Sequence, residues 1–226
     1  MKRILLVCTF ALTMQIGAKA QNVTDKQISG GEFIKGLKGS YIELFSKNTC
    51  LSTEYDDLWK SETLKYIDSA KADSVIAAIQ GMCQGKRIGT EAIAYNKQNN
   101  NMQFCCSFLQ GVSRFEIRGN RIAGYDSNKK LIFSHKYKFI EVDGNGNYIF
   151  ESVDGNLDEF RYFWFMPDSP KSTYHIEFRY GSDKSQLSKM TEGKYAFWMA
   201  AGVREGHEEE WLNGIILFID ERLKEE

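Results

Sequence analysis

A histidine and a glutamate lie two positions apart near the C-terminal end of the chain, in the stretch Thr173-Tyr174-His175-Ile176-Glu177-Phe178. Apolar and polar residues alternate here, which predicts a strand. Residues two apart in a strand share a face, so an imidazole nitrogen and a carboxylate oxygen are close enough to coordinate one divalent ion. The same alternation also fits an ordinary polar face, with His175, Glu177 and Arg179 in solvent. For the metal hypothesis, we expect His175 and Glu177 to point together into the interior that the folded sheet encloses.

Other side chains are candidates for the remaining ligands. His135 lies on the same predicted strand face as three aromatic residues, so we expect it to contact an apolar surface, either as a hydrogen-bonded core residue or as a ligand. Asp168, in the loop before the His175 strand, and Glu116 are further carboxylate candidates. His207 lies at the start of a predicted helix and is expected to face solvent.

Catalytic signatures are absent from the sequence. It contains no Gly-x-Ser-x-Gly elbow, phosphate-binding loop, dinucleotide fingerprint or His-Glu-x-x-His helix. The net charge is −1 and no block of basic residues occurs, which argues against nucleic acid as a partner. We therefore expect a binding protein rather than an enzyme.

The middle of the chain has the pattern of an antiparallel meander. Short aromatic and β-branched runs alternate with turn residues that tolerate positive φ. The predicted strands are residues 37–45, 89–95, 102–109, 113–118, 121–126, 131–142, 148–152, 160–166 and 173–180. About nine strands joined as neighbours predict a mainly β protein, an up-and-down β-barrel whose closure removes its edges.

Helices interrupt and follow this barrel. Apolar residues recur at helical spacing over residues 54–80, as two helices, and again over residues 183–192 and 205–224. Four cysteines remain outside the first 20 residues, namely Cys50, Cys83, Cys105 and Cys106. Their pairing is open: Cys50 with Cys83 would join the ends of the helical insertion, and the neighbours Cys105 and Cys106 should point to opposite faces. We expect one disulfide.

The N-terminus has the order of a secretory signal peptide. Lys2 and Arg3 precede an apolar run that ends in Ala18-Lys19-Ala20, so cleavage is predicted after Ala20. This run is too short to span a bilayer. Residues 21–36 are polar and glycine-containing, which predicts a flexible arm before a single domain over residues 37–226. The protein is expected to be exported, in the periplasm or secreted.

Several short motifs resemble those of the ZinT family. They are the opening Leu37-Lys38-Gly39-Ser40-Tyr41, the hairpin run Arg114-Phe115-Glu116-Ile117, the lead Lys171-Ser172-Thr173 into a His-containing strand, and Gly181-Ser182-Asp183 followed by Ser185-Gln186-Leu187 and Met190. The resemblance implies an exported, lipocalin-like (calycin) barrel that binds zinc or cadmium in the bacterial periplasm. Most of the chain after the arm is covered.

The resemblance also implies a metal site that is altered in this chain. Family members hold the ion mainly through a His-x-His pair on the strand before the Gly-x-Asp turn and a third histidine earlier in the chain. His175 matches the first of the pair, Glu177 stands at the second, and Met166 stands at the earlier position. Thioethers are poor ligands for such ions. A modified or weakened site is therefore expected.

Two other functions fit the same residues. The barrel could hold a small apolar molecule without any metal, since Phe160–Phe165 places large rings on both strand faces. Alternatively, the outer aromatic faces or the C-terminal helix could form an interaction module of the cell envelope.

Overall fold

The computed structural model describes residues 28–99, 102–170 and 175–224. These residues form a closed barrel of eight antiparallel strands, each paired with the next along the chain and the last paired with the first. The strands are β1 (Gly39–Glu43), β2 (Arg114–Arg118), β3 (Arg121–Tyr125), β4 (Leu131–Val142), β5 (Tyr148–Ser152), β6 (Tyr162–Phe165), β7 (Ile176–Gly181) and β8 (Ala200–Arg204). The predicted up-and-down barrel is confirmed.

Helices precede β1, fill the β1–β2 connection and follow β7 and β8. They are α1 (Gly30–Gly36), α2 (Asp56–Thr63), α3 (Ser69–Met82), α4 (Gly89–Gln98), α5 (Lys184–Leu187) and α6 (Glu208–Leu223), with a 3₁₀ turn at Thr53–Tyr55. In the described part of the chain, no helix is both long and apolar enough to cross a membrane.

The hairpin turns are built by the residues that predicted them. Gly119 joins β2 to β3 with φ of +62°, a conformation that glycine adopts without steric cost. Between β4 and β5, the Asp143 carboxylate accepts the N–H groups of Asn145 and Asn147 at 2.9 and 3.0 Å. It also accepts the indole N–H of Trp164 at 2.8 Å. Local turn chemistry therefore fixes the strand register.

Aromatic rings fill the barrel interior. Phe115 makes edge contacts with the rings of Phe108, Phe178 and Phe163, at centroid distances of 4.9, 5.1 and 5.9 Å. Phe115, Phe163 and Phe178 are at most 1% exposed. Side chains therefore occupy the space where a lipocalin-like barrel would hold a ligand.

A second apolar cluster lies between the outer face of the barrel and the helices. It includes Trp59 of α2, Ala201 of β8 and the stripe Trp211, Ile215 and Ile219 of α6. The Trp59 indole N–H donates to the Cys50 carbonyl at 2.8 Å. The C-terminal helix therefore packs on the barrel.

The start of the described chain differs from the expected flexible arm. Ser29 caps α1 in a reciprocal capping box with Glu32. Phe33 is fully buried and stacks on Tyr148 at 3.8 Å between ring centroids. The arm was predicted from polarity, which misses a single buried aromatic anchor. The predicted signal peptide, its cleavage point and residues 21–27 lie outside the described residues.

Two predicted strands were wrong, one strand was missed and one predicted helix is shorter. Residues 89–95 form the beginning of α4, because Ala and Glu favour helix and only Gly89 and Ala92 of this helix are buried. Residues 102–109 form isolated bridges through Cys105 rather than a strand. Strand β8 was missed, because it is almost wholly buried and so lacks polar alternation. The predicted helix at residues 183–192 shortens to α5.

A segment between α4 and β2 helps to close the barrel. The N–H groups of Met199 and Ala201 donate to the carbonyls of Cys105 and Cys106 at 3.0 and 3.2 Å. Cys105 faces the barrel core and Cys106 faces the outer cluster, as the sequence predicted. All four cysteines of the described residues are free and buried, so the expected disulfide is not formed.

Truncating a ring in the barrel interior is expected to destabilise the fold strongly. A Phe163→Ala variant should lose about 3–5 kcal/mol of unfolding free energy, because the cavity left among close-packed rings cannot collapse. Leu157 is 74% exposed, so Leu157→Ala should change stability by about 0.5 kcal/mol or less. Urea unfolding of both variants tests this, and equal losses would contradict a ring-filled interior.

Replacing Glu43 with glutamine is expected to stabilise the protein at pH 7 but not at pH 4. The Glu43 carboxylate accepts the N–H of Phe108 at 2.7 Å, and burial raises its pKa above the ordinary 4.5. When the pKa of a carboxyl is higher in the folded state than in the unfolded state, the free energy of unfolding falls as pH rises from the unfolded-state pKa through the folded-state pKa. Below the unfolded-state pKa the carboxyl is protonated in both states, so it has no such effect. Glutamine keeps the acceptor without the charge. Urea unfolding at the two pH values checks this; a less stable variant at pH 7 would refute it.

Candidate metal centre

The two faces of β7 carry different chemistry. Ile176, Phe178 and Tyr180 belong to the barrel core, whereas His175, just before the strand, and Glu177 project from the outer face. The expectation that the pair points into the barrel is therefore wrong. The face of β7 that points into the barrel carries apolar side chains. The polar side chains of this strand therefore lie on its outer face.

The pair is nevertheless close together and shielded. His175 Nε2 lies 3.5 Å from Glu177 Oε1, and the two side chains are 19% and 24% exposed. The prediction that they lie side by side is confirmed. They are neither in the barrel core nor in bulk water.

Backbone contacts on both sides of β7 hold Glu177 in place. Its carbonyl accepts the N–H of Met166 at 3.0 Å and the hydroxyl of Ser169 at 3.2 Å. On the other side, Glu177 pairs with Ala201 of β8. The Glu177 carboxylate also lies near the buried Cys106 thiol, whose pKa is raised by a hydrogen bond with Cys83, by burial and by this negative charge.

The separation of the two donors fits one shared zinc ion. Tetrahedral zinc with bonds of about 2.0 Å to nitrogen and oxygen places two ligands roughly 3.3 Å apart. In contrast, Met166 is half-buried against the barrel core and offers only a thioether. Within residues 28–99, 102–170 and 175–224, no three His, Cys, Asp or Glu side chains form a group that could hold a metal ion. The protein therefore supplies two fitting donors, and water must complete the coordination.

His135 belongs to a different cluster. Its Nδ1 lies 3.1 Å from Asp154 and its Nε2 lies 3.9 Å from Asp158, in the β5–β6 connection. The ring also stacks on Phe133, as expected from its strand face. The N–H of Lys136, together with the imidazole, holds the pKa of Asp154 below its ordinary value. These aspartates, rather than His175, are the polar partners of His135.

Among the described residues, none of the other candidates joins the pair in a group of three or more side chains that could hold a metal ion. Asp168 is exposed in the turn after β6. Glu116 on β2 contacts Arg118 and the hydroxyl of Tyr125. His207 is exposed, as predicted, and lies 3.2 Å from Glu210.

Comparisons with known proteins bear on the fold. No protein-family model and no curated protein sequence matches the chain. The Zn(II)-bound ZinT-like domain of Streptococcus pneumoniae AdcA superposes with a TM-score of 0.52 at 10% identity, over 89% of this chain and 97% of that domain. The chain has the ZinT-like fold. Zn(II)-bound AdcA from the same organism gives a TM-score of 0.46 at 10% identity, over 82% of this chain and 35% of that one.

The ZinT-like fold confirms the resemblance that the sequence motifs indicated, and with it the lipocalin-like fold class. At 10% identity the likeness establishes architecture alone. Whether this chain binds an ion depends on its own donors, of which His175 and Glu177 are the pair that the fold brings together.

Arg179 is an important residue of the same face that sequence reasoning misjudged. The alternation places it outward, as observed, but it is completely buried rather than solvated. Its guanidinium donates to the backbone carbonyls of Leu187, Lys189 and Tyr195, and burial lowers its pKa to about 10. No sequence signal shows that residues 187–195 fold over it.

Removing the Arg179 guanidinium is expected to destabilise the barrel. In an Arg179→Met variant three backbone carbonyls lose the guanidinium donor, which should cost about 2–4 kcal/mol of unfolding free energy. Arg118 is 74% exposed, so Arg118→Met should cost about 0.5 kcal/mol or less. Unfolding in guanidinium chloride measures the stability of both variants. If the Arg179→Met protein is as stable as the parent, water molecules replace the guanidinium as donors to the carbonyls, and the prediction is wrong.

Proposed function

We propose that this protein binds a divalent metal ion, zinc or cadmium, through His175 and Glu177. The observation that carries the proposal is the 3.5 Å separation between His175 Nε2 and Glu177 Oε1, which suits two ligands of one tetrahedral ion. Further support comes from the ZinT-like fold, since a solved domain of this fold is Zn(II)-bound.

The donor set predicts weak binding with an open coordination sphere. A neutral imidazole and a carboxylate are both suitable for zinc, but water must occupy the positions that protein side chains leave. Protons compete with the ion for the imidazole, so affinity should fall at acid pH. A coordination sphere that is partly filled by water favours rapid exchange of the metal ion with solvent over permanent binding.

The proposed role is binding rather than catalysis. The predicted signal peptide would export the chain to the periplasm or the cell exterior. There, a weak site on the outside of the barrel would take up and release zinc without any chemical step. The barrel interior offers no comparable support for an apolar ligand, because rings such as Phe115, Phe163 and Phe178 fill it.

Removing the pair is expected to abolish or weaken zinc binding. Calorimetric titration of chelator-treated protein should show one zinc site in the parent. In a His175→Ala/Glu177→Gln variant, the dissociation constant should rise by at least about tenfold, since even outer-shell changes commonly cost ~10–100-fold. Cadmium should give the same pattern.

Matched controls separate this site from other donors. His207→Ala removes an exposed histidine and His135→Ala removes the one paired with Asp154, and neither should alter zinc affinity. Titration after thiol alkylation in a Cys83→Ser/Cys106→Ser background excludes zinc held by sulfur. No heat from the parent, or equal affinities for parent and double variant, would eliminate the proposal.

A further inference from the structure

Cys83 and Cys106 lie opposite each other at the junction between the helical layer and the barrel. Cys83 directly follows α3, and Cys106 belongs to the segment that closes the barrel beside β8. The two chain segments form an antiparallel bridge at Gln84 and Cys105. In an antiparallel pair the residue before Gln84 lies opposite the residue after Cys105. Cys83 is therefore opposite Cys106.

Hydrogen bonds on either side of the bridge support this register. The Cys106 N–H donates to the Cys83 carbonyl at 3.4 Å, and the Gly85 N–H donates to the Phe104 carbonyl at 2.9 Å. Opposed residues in an antiparallel pair have Cα atoms about 4.5–5.5 Å apart and side chains on one face. This range falls within the ~4.4–6.8 Å that a disulfide spans.

The two side chains belong to the same outer apolar cluster. The Cys83 thiol is near enough to the Cys106 thiol to raise its pKa. Cys105 is excluded from this pairing because it faces the barrel core. The third thiol of the outer cluster, Cys50, donates to the Leu44 carbonyl at 2.8 Å.

We propose that Cys83 and Cys106 are a redox pair that forms the disulfide of the exported protein. An oxidant of the disulfide class, such as oxidised glutathione or the active-site disulfide of an oxidoreductase, is attacked by one thiolate to give a mixed disulfide. The second thiolate then displaces the leaving thiolate and forms the Sγ–Sγ bond. The two cysteines lose two protons and two electrons, and the oxidant becomes two thiols.

Burial determines when this bond can form. Cys83 and Cys106 are 5% and 6% exposed, so a disulfide oxidant cannot reach either sulfur in the folded protein. Thiol–disulfide exchange depends on such access, so the folded protein reacts slowly. Oxidation therefore occurs during folding or local opening, and the bond ties the end of α3 to the closing segment of the barrel.

The test is to refold the full chain in a glutathione redox buffer, alkylate remaining thiols in denaturant and map the linked peptides by mass spectrometry. We expect a Cys83–Cys106 cross-link, with every other cysteine of the full chain, Cys8, Cys50 and Cys105, alkylated. Reduction should lower the melting temperature by about 10 °C, from the usual effect of such a bond in a domain of this size.

Variants make the assignment specific. Cys105→Ser should keep the cross-link and the shift in melting temperature, whereas Cys83→Ala and Cys106→Ala should each lose both. A Cys50–Cys83 or Cys105–Cys106 link, or no link in the parent, would overturn the proposal. Because peptide mapping uses the parent protein, the result stands even if a variant misfolds, and it is independent of zinc binding.

Discussion

The packing of rings inside the barrel is the constraint on which the rest of the molecule depends. A small eight-stranded barrel has room for side chains and little else, and here Phe115, Phe163 and Phe178 take that room. On β7 the inward positions belong to Ile176, Phe178 and Tyr180. On β7 this puts His175 and Glu177 on the outer face, so any ion must be met at the surface of the barrel rather than in its lumen.

An outer face would ordinarily be fully solvated, but here other chain segments shield it. Residues 187–195 fold over Arg179, which holds them through backbone carbonyls. The helices cover the neighbouring β8, and His175 and Glu177 remain only partly accessible. Partial shielding limits competition from water, while access from solvent is preserved.

Local patterns predicted the parts of this fold that local forces decide. The Asp143 turn, the alternation of β7 and the apolar stripe of α6 each follow from residues close in sequence. Strand β8 could not be predicted from the sequence, because a strand buried on both faces has small apolar residues without polar alternation. The adjacency of His175 and Glu177 was predictable from strand geometry. Their shielding, like that of Arg179, arises from distant segments that no spacing reveals.

The closure of the barrel has a consequence for folding kinetics. Tyr41 of β1 pairs with Arg204 of β8, at nearly opposite ends of the described chain, and segment 105–106 must also dock beside β8. Contacts between such remote residues carry the largest loop entropy, so they form late and limit the rate. The hairpins from β2 to β7 are local and can form first. The edges of β1 and β8 therefore stay unpaired until the barrel closes. Until then, these edges can pair with strands of another chain, which leads to aggregation.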